Sequence, residues 1–115
     1  MAPPSGPLSG LLVADFSRIL AGPYATMLLA DLGAEVVKVE RSTGDETRSW
    51  GPPWAADGTS TYFLSVNRNK TSRVIDLGTE AGRAEAHELV AGCDVLVENF
   101  RSGTMERFGL GYEQL

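Results

Sequence analysis

Two runs of strand-forming residues, 11–15 and 35–40, enclose a stretch of helical periodicity, and that arrangement restricts the chain more than any other feature. The run Glu35-Val36-Val37-Lys38-Val39-Glu40 is rich in β-branched residues, and 11–15 is a short apolar run ending in Asp15. Between them Tyr24, Met27, Leu28 and Leu32 fall at i, i+3, i+4 and i+8, which reads as the buried face of a helix over 21–32. Pro23 suits a first helical turn, where a missing N–H costs nothing, and Gly33 sits where a helix end wants a left-handed residue. A second cycle follows. It comprises a strand at 73–77, Thr79 as N-cap, a helix through Val90 closed by Gly92, and a strand at 94–98. Strands alternating with helices predict a mainly parallel sheet, and right-handed crossovers then give a Rossmann-like layered α/β domain. Asp15, Arg41, Leu77 and Asn99 all fall at the edge formed by the strand C-termini.

Residues 42–60 are rich in Gly, Pro, Thr and Asp and carry Trp50 and Trp54, which predicts a long loop over that edge, its tryptophans packed on the domain or on a partner. Residues 1–10 hold prolines, serines and glycines and read as a flexible segment ahead of a domain over 11–115. The tail Phe108-Gly109-Leu110-Gly111-Tyr112 looks like the lead into another element. A parallel sheet with two main helices would leave apolar surface bare, so a fragment of a longer chain is expected.

Charge narrows the function classes. Ten basic residues against 15 acidic ones give a net charge of −5, which argues against a general nucleic-acid or anionic-membrane surface. Any anion must be held by local cations. The single cysteine, Cys93, forms no internal disulfide and reads as a structural thiol beside a strand. No basic n-region with an apolar run opens the chain, and no apolar stretch approaches the ~20 residues of a membrane span. A soluble cytoplasmic protein is the expectation.

The first βα turn, Asp15-Phe16-Ser17-Arg18-Ile19-Leu20-Ala21-Gly22-Pro23, has neither G-x-G-x-x-G nor the Walker pattern, so a dinucleotide or nucleotide hydrolysis is disfavoured. His87 is the only histidine and lies mid-helix, which disfavours a Ser-His-Asp triad or a histidine metal site and reads as a solvated residue. What remains is a set of basic and amide groups near the strand ends. Arg41 follows the second strand, Arg68 and Lys70 precede the third, and Asn99, Arg101 and Arg107 follow the fourth. Guanidinium forks so placed suit phosphate groups.

Four segments carry a more specific signal: 12–23, the turn Val39-Glu40-Arg41, the loop 44–53, and Val97-Glu98-Asn99-Phe100-Arg101-Ser102-Gly103. Together they resemble the family III coenzyme A transferases, a group that includes 2-methylacyl-CoA racemase-like enzymes, and the resemblance runs from Pro7 to Tyr112. It implies CoA as the acyl-carrying substrate, no metal, and an interlocked homodimer. Matched by motif position, CoA contacts fall on Leu20 and Ala21 after the first strand and Arg41 after the second. Ile75, Asp76, Leu77 and Gly78 end the third strand, and Asn99, Phe100, Arg101 and Arg107 follow the fourth. Gly78 stands where many relatives have lysine, and Leu20 where some formyl-CoA transferases have a carboxylate-binding glutamine, which points to a longer or more apolar acyl group. The family's nucleophile is an aspartate that attacks the thioester. No aspartate here matches its motif, Asp15 and Asp31 reading as structural, so the nucleophile is expected beyond residue 115. Racemase chemistry, or a non-catalytic CoA-binding or interaction module, is the alternative.

Overall fold

The computed structural model describes residues 5–115. Strands β1 (Leu12–Asp15), β2 (Glu35–Glu40), β3 (Lys70–Val74) and β4 (Val95–Val97) form one parallel sheet in the order β3-β2-β1-β4. Helices α1 (Ala21–Asp31), α2 (Thr61–Asn67), α3 (Glu80–Ala91) and α4 (Thr104–Arg107) connect or follow the strands. The Rossmann-like α/β class expected from the βα cycles is what the chain adopts. Central strand β2 explains why: Val36, Val37, Val39, Lys38 and Glu40 are all buried, the burial on both faces that parallel sheets require.

Two cores flank the sheet. Ala14, Phe16, Val37, Val39 and Ile75 meet Ala86 and Leu89 of α3 and Met105 of α4, with Leu110 closing the cluster. On the opposite face Val13 and Val36 meet Ala30 of α1 and Ala34. Cys93 is half-buried against the first cluster. Caps follow the sequence signals: Thr79 Oγ1 accepts from the Gly82 N–H at 3.0 Å, and Gly33 adopts φ +104° after α1.

Several expectations need correction. Helix α1 buries Gly22, Pro23, Thr26, Met27 and Ala30, whereas Tyr24, Leu28 and Leu32 are exposed. The helix lies so close to the preceding turn that a Cβ on Gly22 would sit 2.2 Å from the Ser17 Cβ, so small residues form the contact and the large ones face outward. Strand β3 begins at Lys70 rather than 73 and ends at Val74. It pairs with β2 alone, and an edge strand accepts the polar sequence Lys-Thr-Ser-Arg-Val that the apolar pattern passed over. The 42–60 stretch holds a 3₁₀ turn, Glu46–Ser49, and leads into α2, which was not expected. Trp50 packs edge-on to Tyr62 of α2 at 5.2 Å between ring centroids. Helices α2 and α4 add cover that two helices alone would not give.

In the segment ahead of β1, expected to be flexible, residues 1–4 lie outside the described residues. Beyond them the Leu8 N–H donates to the Leu32 carbonyl at 2.9 Å, and a Cβ on Gly6 would strike that same oxygen.

Candidate functional site

All four strands point their C-terminal ends at one cleft of about 280 Å³. Phe16 and Arg18 reach it from β1; Arg41, Gly44 and Asp45 follow β2; Ile75, Leu77 and Gly78 follow β3; Phe100, Thr104 and Phe108 follow β4. The position is the one that open α/β sheets reserve for ligands, where the strand order reverses: from β1 the chain runs outward to β2 and β3, then crosses back to set β4 on the other side of β1. Aromatic side chains make one wall, Phe100 and Phe108 meeting edge-on at 6.4 Å.

Of the residues expected at the site, Arg41, Ile75, Leu77, Gly78 and Phe100 line the cleft. Asp76 lies beside it, its carboxylate accepting from the Gly78 N–H at 2.9 Å. Leu20 and Ala21 begin α1, Leu20 being 49% exposed and outside the lining. Arg101 and Arg107 are exposed on the segment carrying Thr104, and Arg107 Nη2 donates to Thr104 Oγ1 at 3.3 Å. Asn99 spends its amide on the backbone of Arg18: Oδ1 accepts from the Arg18 N–H at 3.0 Å and Nδ2 donates to the Arg18 carbonyl at 2.8 Å.

Two expected phosphate ligands are committed elsewhere. The Lys70 side chain is buried, with its ammonium on Asp15 (3.1 Å), the Pro23 carbonyl and Asn67. Arg68 pairs with Asp31 at the far end of α1. Asp15 is also closed off, accepting from the Ser17 N–H and hydroxyl, from Thr26 and from Lys70. Its structural assignment holds.

Beneath the cleft lies a buried ionic frame that strand-and-loop reasoning missed. Lys38 and Asp45, with side chains 2% and 1% exposed, pair at 2.9 Å. Lys38 also donates to the Ser17 carbonyl, while Asp45 accepts from the Thr47 N–H and hydroxyl and from the Ile19 N–H at 3.2 Å. Burial pushes the Asp45 carboxyl up, but the Thr47 N–H and Lys38 outweigh it and the net shift is downward. Glu40 accepts from Arg48 Nε at 2.8 Å and Nη2 at 2.6 Å, and also from the Ser72 hydroxyl and the Asp45 N–H. Its burial likewise works upward, yet these donors hold the carboxyl down to about 2. The signal for this frame was a lysine and a glutamate inside a strand with valines on both faces.

The frame supports an unusual turn. Ile19 has φ +74°, a region that β-branched residues avoid and that persists only where surrounding contacts impose it. Here Asp45 and Asn99 do so from two sides.

The model of CoA-transferase family III matches residues 8–115. The chain belongs to that family. Succinyl-CoA:glutarate CoA-transferase of Mus musculus is 54% identical over 110 residues, covering 95% of this chain and 25% of its own length. Succinyl-CoA:mesaconate CoA-transferase of Haloarcula hispanica is 54% identical over 114 residues, with 96% of this chain and 28% of its own length covered. A crystal structure of a CAIB/BAIF family protein from Brucella suis superposes with a TM-score of 0.91 at 47% identity, over 95% of this chain and 30% of that one. The chain thus spans between a quarter and a third of the family members it matches.

Proposed function

We propose that this chain is the CoA-binding part, over residues 11–115, of an acyl-CoA:carboxylate CoA transferase that moves CoA between carboxylic acids. The observation that carries the reading is the cleft at the strand C-termini, with Arg41, Ile75, Leu77, Gly78 and Phe100 along it, in a chain matched to CoA-transferase family III over residues 8–115. In this reading the apolar and aromatic wall holds the adenosine portion. Arg41, with Arg101 and Arg107 on the exposed rim, meets the phosphates, and Leu20, Ala21, Asp76 and Asn99 complete the ligand's surroundings.

The acyl transfer needs a carboxylate nucleophile. Among the described residues, the one aspartate lining the cleft is Asp45, which is buried and paired with Lys38. By the family resemblance, the nucleophilic aspartate belongs to the further length of the family's members, of which this chain spans a quarter to a third. Its oxygen attacks the thioester carbon and the C–S bond breaks. The CoA thiolate then displaces the donor acid from the mixed anhydride, leaving CoA as an enzyme thioester that the acceptor acid opens in reverse.

The acids are taken to be short dicarboxylates, by analogy with the succinyl-CoA:glutarate and succinyl-CoA:mesaconate enzymes. Homodimerisation and a cytoplasmic setting belong to the same proposal. The exposed apolar side chains Leu20, Tyr24, Leu28 and Leu32, spaced four residues apart along α1 and its two caps, support a covering surface. The test is thioester exchange by the full-length protein from succinyl-CoA to glutarate, mesaconate and oxalate. Transfer to at least one dicarboxylate is expected. A protein that neither transfers nor binds CoA overturns the reading.

A further inference from the structure

Arg18 and Arg41 come from different strand ends, yet both donate to one carboxylate oxygen, Oε1 of Glu46, at 2.9 and 2.7 Å. Both guanidinium groups border the cleft and are partly exposed, 40% and 56% by side chain. The neighbouring cations differ: Lys38 is neutralised by Asp45, and Arg48 by both oxygens of Glu40. Two positive charges at the cleft thus face a single negative one. Acceptors are short as well, since each guanidinium has five N–H donors and Arg18 Nε is buried without a partner. The Arg18 guanidinium is also fixed in place, 5.0 Å over the Phe100 ring.

We propose that Glu46 is a built-in competitor: its carboxylate holds Arg18 and Arg41 at the cleft in the place of a phosphate group of the ligand, and yields them when that phosphate arrives. The inference rests on the reading that the cleft takes CoA, and adds Arg18 and Glu46 to the residues that set its affinity. A phosphate ester suits the gap better than the carboxylate does. It presents several acceptor oxygens, so two guanidinium forks can each be engaged separately, and it supplies the missing negative charge. Glu46 is free to leave because its backbone turn is secured by other groups. Asp45 caps the turn through the Thr47 N–H at 3.0 Å, and Ser49 Oγ donates to the Glu46 carbonyl at 3.0 Å.

The experiment is calorimetric titration of full-length wild type, Glu46→Gln and Arg18→Gln with CoA and with pantetheine, which carries the thiol arm without phosphates. Glu46→Gln is expected to tighten CoA roughly two- to tenfold, the scale of two part-exposed ion pairs released, and to leave pantetheine unchanged. The gain shrinks as salt screens the guanidinium charges. Arg18→Gln is expected to weaken CoA about tenfold with no effect on pantetheine, and it carries the test if Glu46→Gln does not fold. A folded Glu46→Gln protein whose CoA affinity is unchanged or lower overturns the proposal, as does an Arg18→Gln protein that binds CoA normally. If wild type binds CoA and the variants do not shift it, the competitor idea fails alone. If wild type does not bind CoA, the reading of the cleft fails with it.

Discussion

Asn99 and Arg18 are 81 positions apart, and Asn99 grips the Arg18 peptide at both ends, accepting from its N–H and donating to its carbonyl. The amide thereby fastens the end of β4 to the β1–α1 turn, one residue ahead of Ile19 in its left-handed conformation. An aspartate could accept but not donate, and an alanine could do neither. With about 0.5–1.5 kcal/mol for each hydrogen bond, Asn99→Ala should cost roughly 1–3 kcal/mol and Asn99→Asp about half as much. Urea unfolding of the full-length protein measures both. Equal losses for the two variants would mean that the acceptor half of the clamp contributes nothing.

Lys38→Met tests the buried frame. The substitution keeps the length of the side chain and leaves the Asp45 carboxylate buried with only neutral partners, Thr47 and the Ile19 N–H. Breaking one side of a buried pair typically costs about 3–5 kcal/mol. Because Lys38 also holds the Ser17 carbonyl, the loss should be accompanied by weaker CoA binding through the disturbed first turn. A fall below about 1 kcal/mol in chemical denaturation would show that water reaches Asp45 and replaces the lysine.

How far the sequence reveals this arrangement depends on the residue. The βαβ spacing, the Thr79 cap and the Gly33 terminus are local signals, and each appears in the fold. Strand β3 does not announce itself, because an edge strand with one neighbour tolerates polar residues on both faces, while Val74, Ile75 and Leu77 draw the eye downstream. The backbone pairing does run one residue past the strand, the Ile75 N–H donating to the Glu40 carbonyl at 2.9 Å. Helix α2 had a legible start in Ser60, whose hydroxyl accepts from the Phe63 N–H, with Phe63 and Val66 buried behind it. The roles of Lys70 and Arg68 were illegible for a different reason. A cation near a strand end looks the same in sequence whether it faces a ligand or a buried aspartate, and only the fold brings Asp15 and Asp31 to them.

Acid should destabilise the protein through Glu40. Its carboxyl is held at about 2 in the fold against an ordinary value of 4.5, so the unfolded chain binds the proton more readily. The stabilisation is fully present above the unfolded value and is lost as pH falls from about 4.5 towards 2. A shift of that size corresponds to stability on the order of 3 kcal/mol. Glu40→Gln should lower stability at neutral pH and flatten the acid limb of a stability-against-pH curve. An acid limb of unchanged steepness in that variant would place the titration on other carboxyls, with Asp45, also shifted down, the next to test.

Gly82 within α3 and Gly92 at its C-cap offer a paired test of how the cleft is positioned. Gly82 lies in the first turn, where a Cβ would come within 1.7 Å of the Asp76 carbonyl oxygen, so α3 approaches the end of β3 only because that Cβ is missing. Gly92, at the other end, has φ −94° and would meet nothing closer than 3.7 Å. Helix propensity alone makes glycine to alanine favourable by up to about 1 kcal/mol in a helix interior. At Gly82 the clash is with backbone and cannot be relieved by a side-chain rotation, so Gly82→Ala should instead destabilise by roughly 1–3 kcal/mol. It should also displace Ile75, Leu77 and Gly78 and weaken CoA binding. Gly92→Ala should be neutral or slightly stabilising and leave binding unchanged. Thermal unfolding and CoA titration of the two variants separate the effects, and equal stability of Gly82→Ala and wild type would show that α3 can move back from β3 without cost.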